Sequence, residues 1–371
     1  MIRAEPILAP KVLAAIRAPL IEQDAITIDP PVVQPLALFL DLAGEAMRER
    51  LFIVQADGRE EACLRPDLTV PAALAHIESG ARTGRYVYKG KAFRASPAGL
   101  SRPEEFVQLG LEVYGAADPA EAEADVAAIA WRSAAAGGRK DLGVKVGDAS
   151  LFAAFVAAIG AAPPIAERLV RAFGRPAALA GEIERAQAPA ASRGGGLSGL
   201  LRGLPEDAAA DALAELWSLA GIQPVGGRPA AEIVHRLIGR ASEAATPLTA
   251  AQANLIGRYL AAAGTPETTL VTISALAPVG AAVEVTRGRI LAMKAHGVPA
   301  ERMTFVAGFG RAFSYYDGLL FDIVSAELGE DQPVAGGGRY DTLLTRLGAS
   351  GGQSAVGCMV RPGRAVAGGA S

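Results

Sequence analysis

The chain has 371 residues, 51% of them hydrophobic and 20% charged, which excludes a disordered polypeptide and leaves room for one large domain with an insertion or for two ordinary domains. Its 36 Lys plus Arg against 39 Asp plus Glu give a formal charge of −3, so electrostatics make no case for nucleic acid or for an anionic membrane surface. Two cysteines, Cys63 and Cys358, exclude a disulfide scaffold, and three histidines, His76, His235 and His296, make a protein-built zinc site improbable.

Apolar residues at helical spacing predict a helix over residues 7–21, Asp29-Pro30-Pro31 imposes an extended link, and a second helix covers 36–48. Residues 51–55 read as a strand, 56–59 as a hairpin turn around Asp57-Gly58, and 61–64 as the return strand, ended by Pro66. A helix is expected over 69–76, then strands over 85–93 and 106–114 on either side of a polar loop, 94–105. Asp118-Pro119 supplies an N-cap and a first-turn proline for a helix reaching residue 136. The most lipid-like stretch, 149–166, is broken by Gly160, Pro163 and Pro164, short of the roughly 20 apolar residues a spanning helix needs. Glu5 and Pro6 precede any apolar run, so no signal peptide is expected, and the reading is a soluble cytoplasmic protein.

From 163 to 296 the pattern is almost wholly helical, with a flexible stretch at 188–199 carrying Gly194-Gly195-Gly196 and an ambiguity between strand and helix at 269–273. Strand signals return at 304–309, 319–326, 333–335 and 355–360. Strands, helices, strands describe an α+β fold: an antiparallel sheet of six or so strands flanked by helices, with a helical insertion. The expected divisions are 1–160 for the first part of the core, 161–299 for the insertion and 300–371 for the rest of the core.

Three constellations carry chemistry. They are Leu64-Arg65-Pro66-Asp67-Leu68-Thr69, then Phe93-Arg94 with Gln108-Leu109-Gly110-Leu111-Glu112, then Arg311 to Gly318 together with Gly336-Gly337-Gly338-Arg339-Tyr340-Asp341. Asp67 and Glu112 are carboxylates suited to an ammonium, Thr69 and Gln108 are neutral partners, and Arg94 and Arg311 are forks for a carboxylate or phosphate. In a strand, Gln108, Gly110 and Glu112 share one face, a floor that Tyr315 and Tyr316 could cap. Taken singly, each has a plainer reading: a solvated sheet face, a glycine turn, core tyrosines.

Together they resemble the histidyl-tRNA synthetase family and its paralogues over residues 1 to about 160 and 300 to 371. Leu64 to Thr69 looks like the family's LRPDMT-type segment, Phe93-Arg94 opens what resembles class II motif 2, and Gly336 to Asp341 is an unbroken GGGRYD. The resemblance implies histidine contacts at Asp67, Thr69, Arg94, Gln108, Glu112, Arg311, Tyr315 and Tyr316, with no cofactor and no metal. It also shows departures: Ser96 where motif 2 carries an adenine-contacting Glu, Glu104 where a basic residue should face phosphate, Ala312-Phe313-Ser314 for Gly-Leu-Asp, and Arg361 in a small-residue slot of motif 3. No anticodon-binding domain is expected. This combination resembles the regulatory paralogues, the ATP phosphoribosyltransferase regulatory subunits. It implies a non-catalytic subunit in histidine biosynthesis that joins a short-form catalytic subunit in a hetero-octamer, pairs with itself through the N-terminal region and takes free histidine as a ligand. A degenerate synthetase that still activates an amino acid with ATP is the alternative.

Overall fold

The computed structural model describes residues 2–21, 24–55, 57–58, 60–96, 99–100, 102–188, 205–219, 247–311 and 315–367. Its strands are β1 (Ile26–Ile28), β2 (Val33–Pro35), β3 (Ile53–Val54), β4 (Ala62–Leu64), β5 (Gly84–Phe93), β6 (Glu105–Tyr114), β7 (Leu142–Asp148), β8 (Ala263–Gly264), β9 (Met303–Val306), β10 (Leu319–Ser325), β11 (Ala335–Arg339) and β12 (Ala355–Val360). Nine form the main sheet in the order β1-β5-β6-β12-β11-β10-β7-β9-β8, while β2, β4 and β3 make a small second sheet. From β5 to β7 every pairing is antiparallel, and β1 and β9 add to it in parallel. The sheet exceeds the expected six or so strands because β1, β7 and β8 are not among those read from the sequence, and β1 and β8 are only three and two residues long. Runs that short carry no readable period-2 signal.

Strand β6 shows why the sheet can hold a site. Leu109 and Leu111 are fully buried on one face, and Gln108 and Glu112 are just as buried on the other. The plain reading of a solvated polar face therefore fails: both faces are covered. Behind the sheet, α4 (Pro119–Ala136) packs against β11 and β12. It begins as its sequence predicts, with the Asp118 carboxylate accepting the N–H groups of Ala120 and Glu121 at 3.0 and 3.1 Å. The segment 69–76 becomes α3 (Thr69–Ser79), which brings the Asp67-Leu68-Thr69 turn to the sheet's front face.

Two expectations need correction. The triple glycine is no turn: Gly336, Gly337 and Gly338 are the middle of β11, paired on both sides. A side chain at Gly336 would collide with the Arg311 guanidinium and the Asp322 carboxylate, so the absence of a Cβ there makes room for an ion pair. The helical insertion is also shorter than expected. The chain divides into one compact unit of Met1–Ala154 with Tyr259–Ser371, and a second of Phe155–Arg258. Residues 259–299 thus belong to the first unit: β8 pairs with β9, and the helix Gly280–Ala295 packs on α4 through Arg289, 3.3 Å from the buried Glu123. The ambiguous 269–273 segment lies in the helix Pro266–Leu276, whose N-cap Thr265 accepts the Thr268 N–H. The stretch 189–199 and residues 312–314, both singled out from sequence, lie outside the described residues.

Candidate functional site

Asp67, Thr69, Arg94, Gln108, Arg311, Tyr315 and Tyr316 line one cavity of about 470 Å³ on the front of the sheet. That is within the range of small-molecule sites, roughly 300–1,000 Å³. Of the eight predicted residues only Glu112 is absent from the lining. It is fully buried beneath the floor.

The acceptors are unevenly used. One oxygen of Asp67 takes the Val70 N–H at 3.3 Å, whereas Oδ2 has no hydrogen-bond partner although it is shut off from water. The Gln108 side chain donates to the Tyr88 hydroxyl at 3.4 Å, and its Oε1 is likewise buried and unpartnered. Two orphan oxygens at the wall of one cavity call for a donor from a ligand. Burial raises the Asp67 pKa, opposed by the Arg94 charge and by backbone N–H groups. Arg94 donates from Nε to the Pro66 carbonyl at 2.7 Å, which fixes it beside that turn. Arg311 is ion-paired with Asp322 and lies 5.7 Å from the Tyr316 ring centroid, while its buried Nε has no partner. Tyr315 and Tyr316 sit 4.8 Å apart, centroid to centroid, and both turn toward Tyr340.

Glu112 does not play the part assigned to it, a second carboxylate facing an ammonium. Tyr88 donates to its Oε1 at 3.0 Å, Tyr340 donates to Oε2, and the Thr69 hydroxyl also bonds it. The residue anchors a buried hydroxyl network under the floor. Gly110 and Gly357 leave the space: a Cβ on the first would strike the Tyr88 ring, and a Cβ on the second would lie 2.7 Å from the Tyr340 hydroxyl oxygen and against the Glu112 carboxylate. Sequence reasoning missed Tyr88 and the role of Tyr340. Tyr88 lies directly across from Gly110 in the β5–β6 register, which depends on how the two strands pair and not on the alternation within either.

Burial pushes the Glu112 carboxyl up to about 7, outweighing the three hydroxyls that favour its charge. Between pH 4.5 and 7 the unfolded chain therefore gives up a proton that the folded chain keeps. Glu112 lowers stability progressively as pH rises through that window and imposes its full cost above it. A shift of this size corresponds to roughly 3 kcal/mol. Glu112→Gln should match the wild type in urea denaturation near pH 4.5 and exceed it by up to that amount at pH 8.

The cavity wall also carries further cations, Arg50, Arg102, Lys145, Arg361 and Arg364. Several are already engaged: Arg102 with Asp331, Lys145 with Glu330 at 3.0 Å, and Arg364 with the Pro333 carbonyl at 3.0 Å. Glu104, expected to confront a phosphate, instead turns back on its own loop and accepts the Ser96 N–H at 3.0 Å.

A mainly antiparallel sheet flanked by helices, with a polar cavity on its front, fits the class II aminoacyl-tRNA synthetase-like fold that the sequence resemblance implies. The chain matches the family model described as histidyl-tRNA synthetase over residues 26–225 and 229–363. It is 34% identical over 350 residues to an ATP phosphoribosyltransferase regulatory subunit from Brucella anthropi, covering 91% of this chain and 92% of that one. A protein of the same name from Mesorhizobium japonicum is 38% identical over 336 residues, 87% of each chain. Among solved structures, an ATP phosphoribosyltransferase regulatory subunit/histidyl-tRNA synthetase from Bacillus halodurans superposes with a TM-score of 0.62 at 19% identity, covering 97% of this chain and 80% of that one. A histidyl-tRNA synthetase from Nostoc gives 0.60 at 15% identity, covering 97% and 72%. The chain belongs to the ATP phosphoribosyltransferase regulatory subunit family.

Proposed function

We propose that this chain is a non-catalytic regulatory subunit in histidine biosynthesis, required by a short-form ATP phosphoribosyltransferase catalytic subunit and responsive to free histidine. The names of its relatives support the regulatory role and the partner. The observation that carries the histidine reading is the pair of orphan acceptors, Asp67 Oδ2 and Gln108 Oε1, in one cavity with Arg94 and Arg311. In this reading the ligand's ammonium sits at the two acceptors and its carboxylate at Arg94. Its imidazole lies among Tyr315, Tyr316 and Arg311, where a neighbouring cation favours the neutral ring. Feedback follows from linkage: histidine shifts the complex by its differential affinity for two quaternary states. Self-association through the N-terminal region is supported by Ile21, Ile26, Val33 and Ile53, which are exposed there, with β1 at the sheet's edge. A hetero-octamer and a cytoplasmic location complete the proposal.

Mixing the chain with a short-form catalytic subunit and following phosphoribosyl-ATP formation tests this reading. The expected result is activity that depends on both chains and falls when histidine is added. Activity of the catalytic subunit alone, equal to that of the mixture, refutes the role. Histidine-dependent exchange of pyrophosphate into ATP by the isolated chain would favour the synthetase-like alternative instead.

A further inference from the structure

The cavity wall contains a contact that ligand recognition does not require. Phe106, on β6, is one of the cavity's wall residues, and its ring is the kind of apolar π-face on which a planar heterocycle stacks. That face is taken. The Arg361 guanidinium carbon lies 3.3 Å from the Phe106 ring centroid, with the Arg94 guanidinium 5.6 Å away. Arg361 is only 4% exposed, and its Nε is buried without a hydrogen-bond partner, so the ring contact is not a by-product of a saturated polar network.

What holds it there comes from the far end of the sequence. Segment Arg3–Glu5 runs alongside the start of β6: the Arg3 carbonyl accepts the N–H groups of Glu104 and Glu105 at 2.7 and 3.0 Å, and the Glu5 N–H donates to the Glu105 carbonyl at 2.9 Å. This docking delivers the Glu5 carboxylate to Arg361, and both side chains of the ion pair are almost wholly buried, at 8% and 5% exposure. Gly363 leaves room for it, since a Cβ there would stand 2.8 Å from the Glu5 carboxylate. Burial, helped by the like charges of Arg364 and Arg94 and opposed by Glu5, holds the Arg361 pKa down to about 9. Without Glu5 the guanidinium would have strong reason to leave.

We propose that the Glu5–Arg361 pair is an intramolecular plug that keeps the base of a nucleotide off the Phe106 face, so that this cavity accepts a small zwitterion and rejects a nucleotide. The remaining cations, Arg94, Arg102 and Arg364, would attract phosphate; the plug decides the outcome by denying the base its stacking surface. Arg361 is the specificity determinant and Glu5 is its positioning residue. The inference stands whether or not histidine occupies the acceptors near Asp67.

The test is calorimetric titration of ATP into the full chain. Removing both partners, Glu5→Gln with Arg361→Ala, leaves the cavity's net charge unchanged, so a gain in affinity cannot be assigned to Coulomb attraction. Exposing one stacking face should tighten ATP binding roughly tenfold or more over the wild type. Arg361→Lys retains the partner for Glu5 while removing the planar stack, so it keeps the fold intact and should also gain, by a smaller factor. ATP affinity in both variants equal to that of the wild type, or a wild type that already binds ATP as tightly, overturns the plug. Histidine titrated into the same proteins reads the other site separately: histidine binding that persists without any gain for ATP refutes the plug alone.

Discussion

Asp67→Asn should weaken histidine binding by about 30-fold to several thousandfold while leaving the protein as stable as the wild type or more so. Removing one member of a desolvated charge pair costs roughly 2–5 kcal/mol, which sets the range. Asparagine keeps the oxygen that accepts the Val70 N–H, so the turn into α3 is preserved. The amide nitrogen then replaces Oδ2 and presents donors to the donors of an ammonium. Stability moves the other way. Asp67 Oδ2 is buried and unpartnered, and burial raises the pKa of the group, so the ionised carboxylate costs the folded state free energy at neutral pH. Exchanging affinity for stability is the signature of a ligand-binding residue. Calorimetric titration and thermal melting of the same preparation check both halves. Unchanged affinity would remove Asp67 from the histidine site, and a lowered melting temperature would make it a structural residue. In the two-chain assay the same substitution should abolish inhibition by histidine and leave basal activity intact.

What the sequence disclosed and what it hid differ by physical cause. Asp67, Thr69, Gln108 and Arg94 were readable because a strand end, a helix start and an alternating strand fix where their side chains go from local geometry alone. Seven of the eight predicted residues line the same cavity for that reason. The role of Glu112 was not readable. Alternation places it on the same face as Gln108, but depth below a floor depends on which rings come over it, and Tyr340 arrives from 228 positions away. The same limit explains the glycines. Three in a row read locally as a turn, because their freedom to bend is a property of the residue, whereas their use here is the volume they leave for Arg311 and Asp322. Arg361 was readable as out of place in a small-residue slot. Its partner, Glu5, was not, because 356 positions separate them.

The sheet floor makes the largest stability prediction. Gly357 lies in β12 opposite Glu112 of β6 and Gly338 of β11, in the middle of the sheet, where neither neighbour can slide without breaking the register. A methyl group there would stand 2.6 Å from the Glu112 carboxyl carbon and 2.7 Å from the Tyr340 hydroxyl oxygen. Something must move, and both candidates are fully buried. Displacing Glu112 breaks the bonds from Tyr88 and Tyr340 and strands a carboxylate without donors; displacing Tyr340 disturbs its edge-on contacts with Tyr315 and Tyr316. Overpacking alone costs about 1–3 kcal/mol, and an unsatisfied buried polar group about 1–3 more. Gly357→Ala should therefore lose roughly 3–5 kcal/mol in urea denaturation and, because the tyrosine wall shifts, lose histidine binding with it. Pairing it with Glu112→Ala separates the causes. If the clash with the carboxylate dominates, the double variant regains much of the stability, since the intruding methyl then enters the volume that the carboxylate vacated. If the double variant is no more stable than Gly357→Ala, Tyr340 is the group that cannot yield, and the floor is held by its hydroxyl instead of by the glutamate.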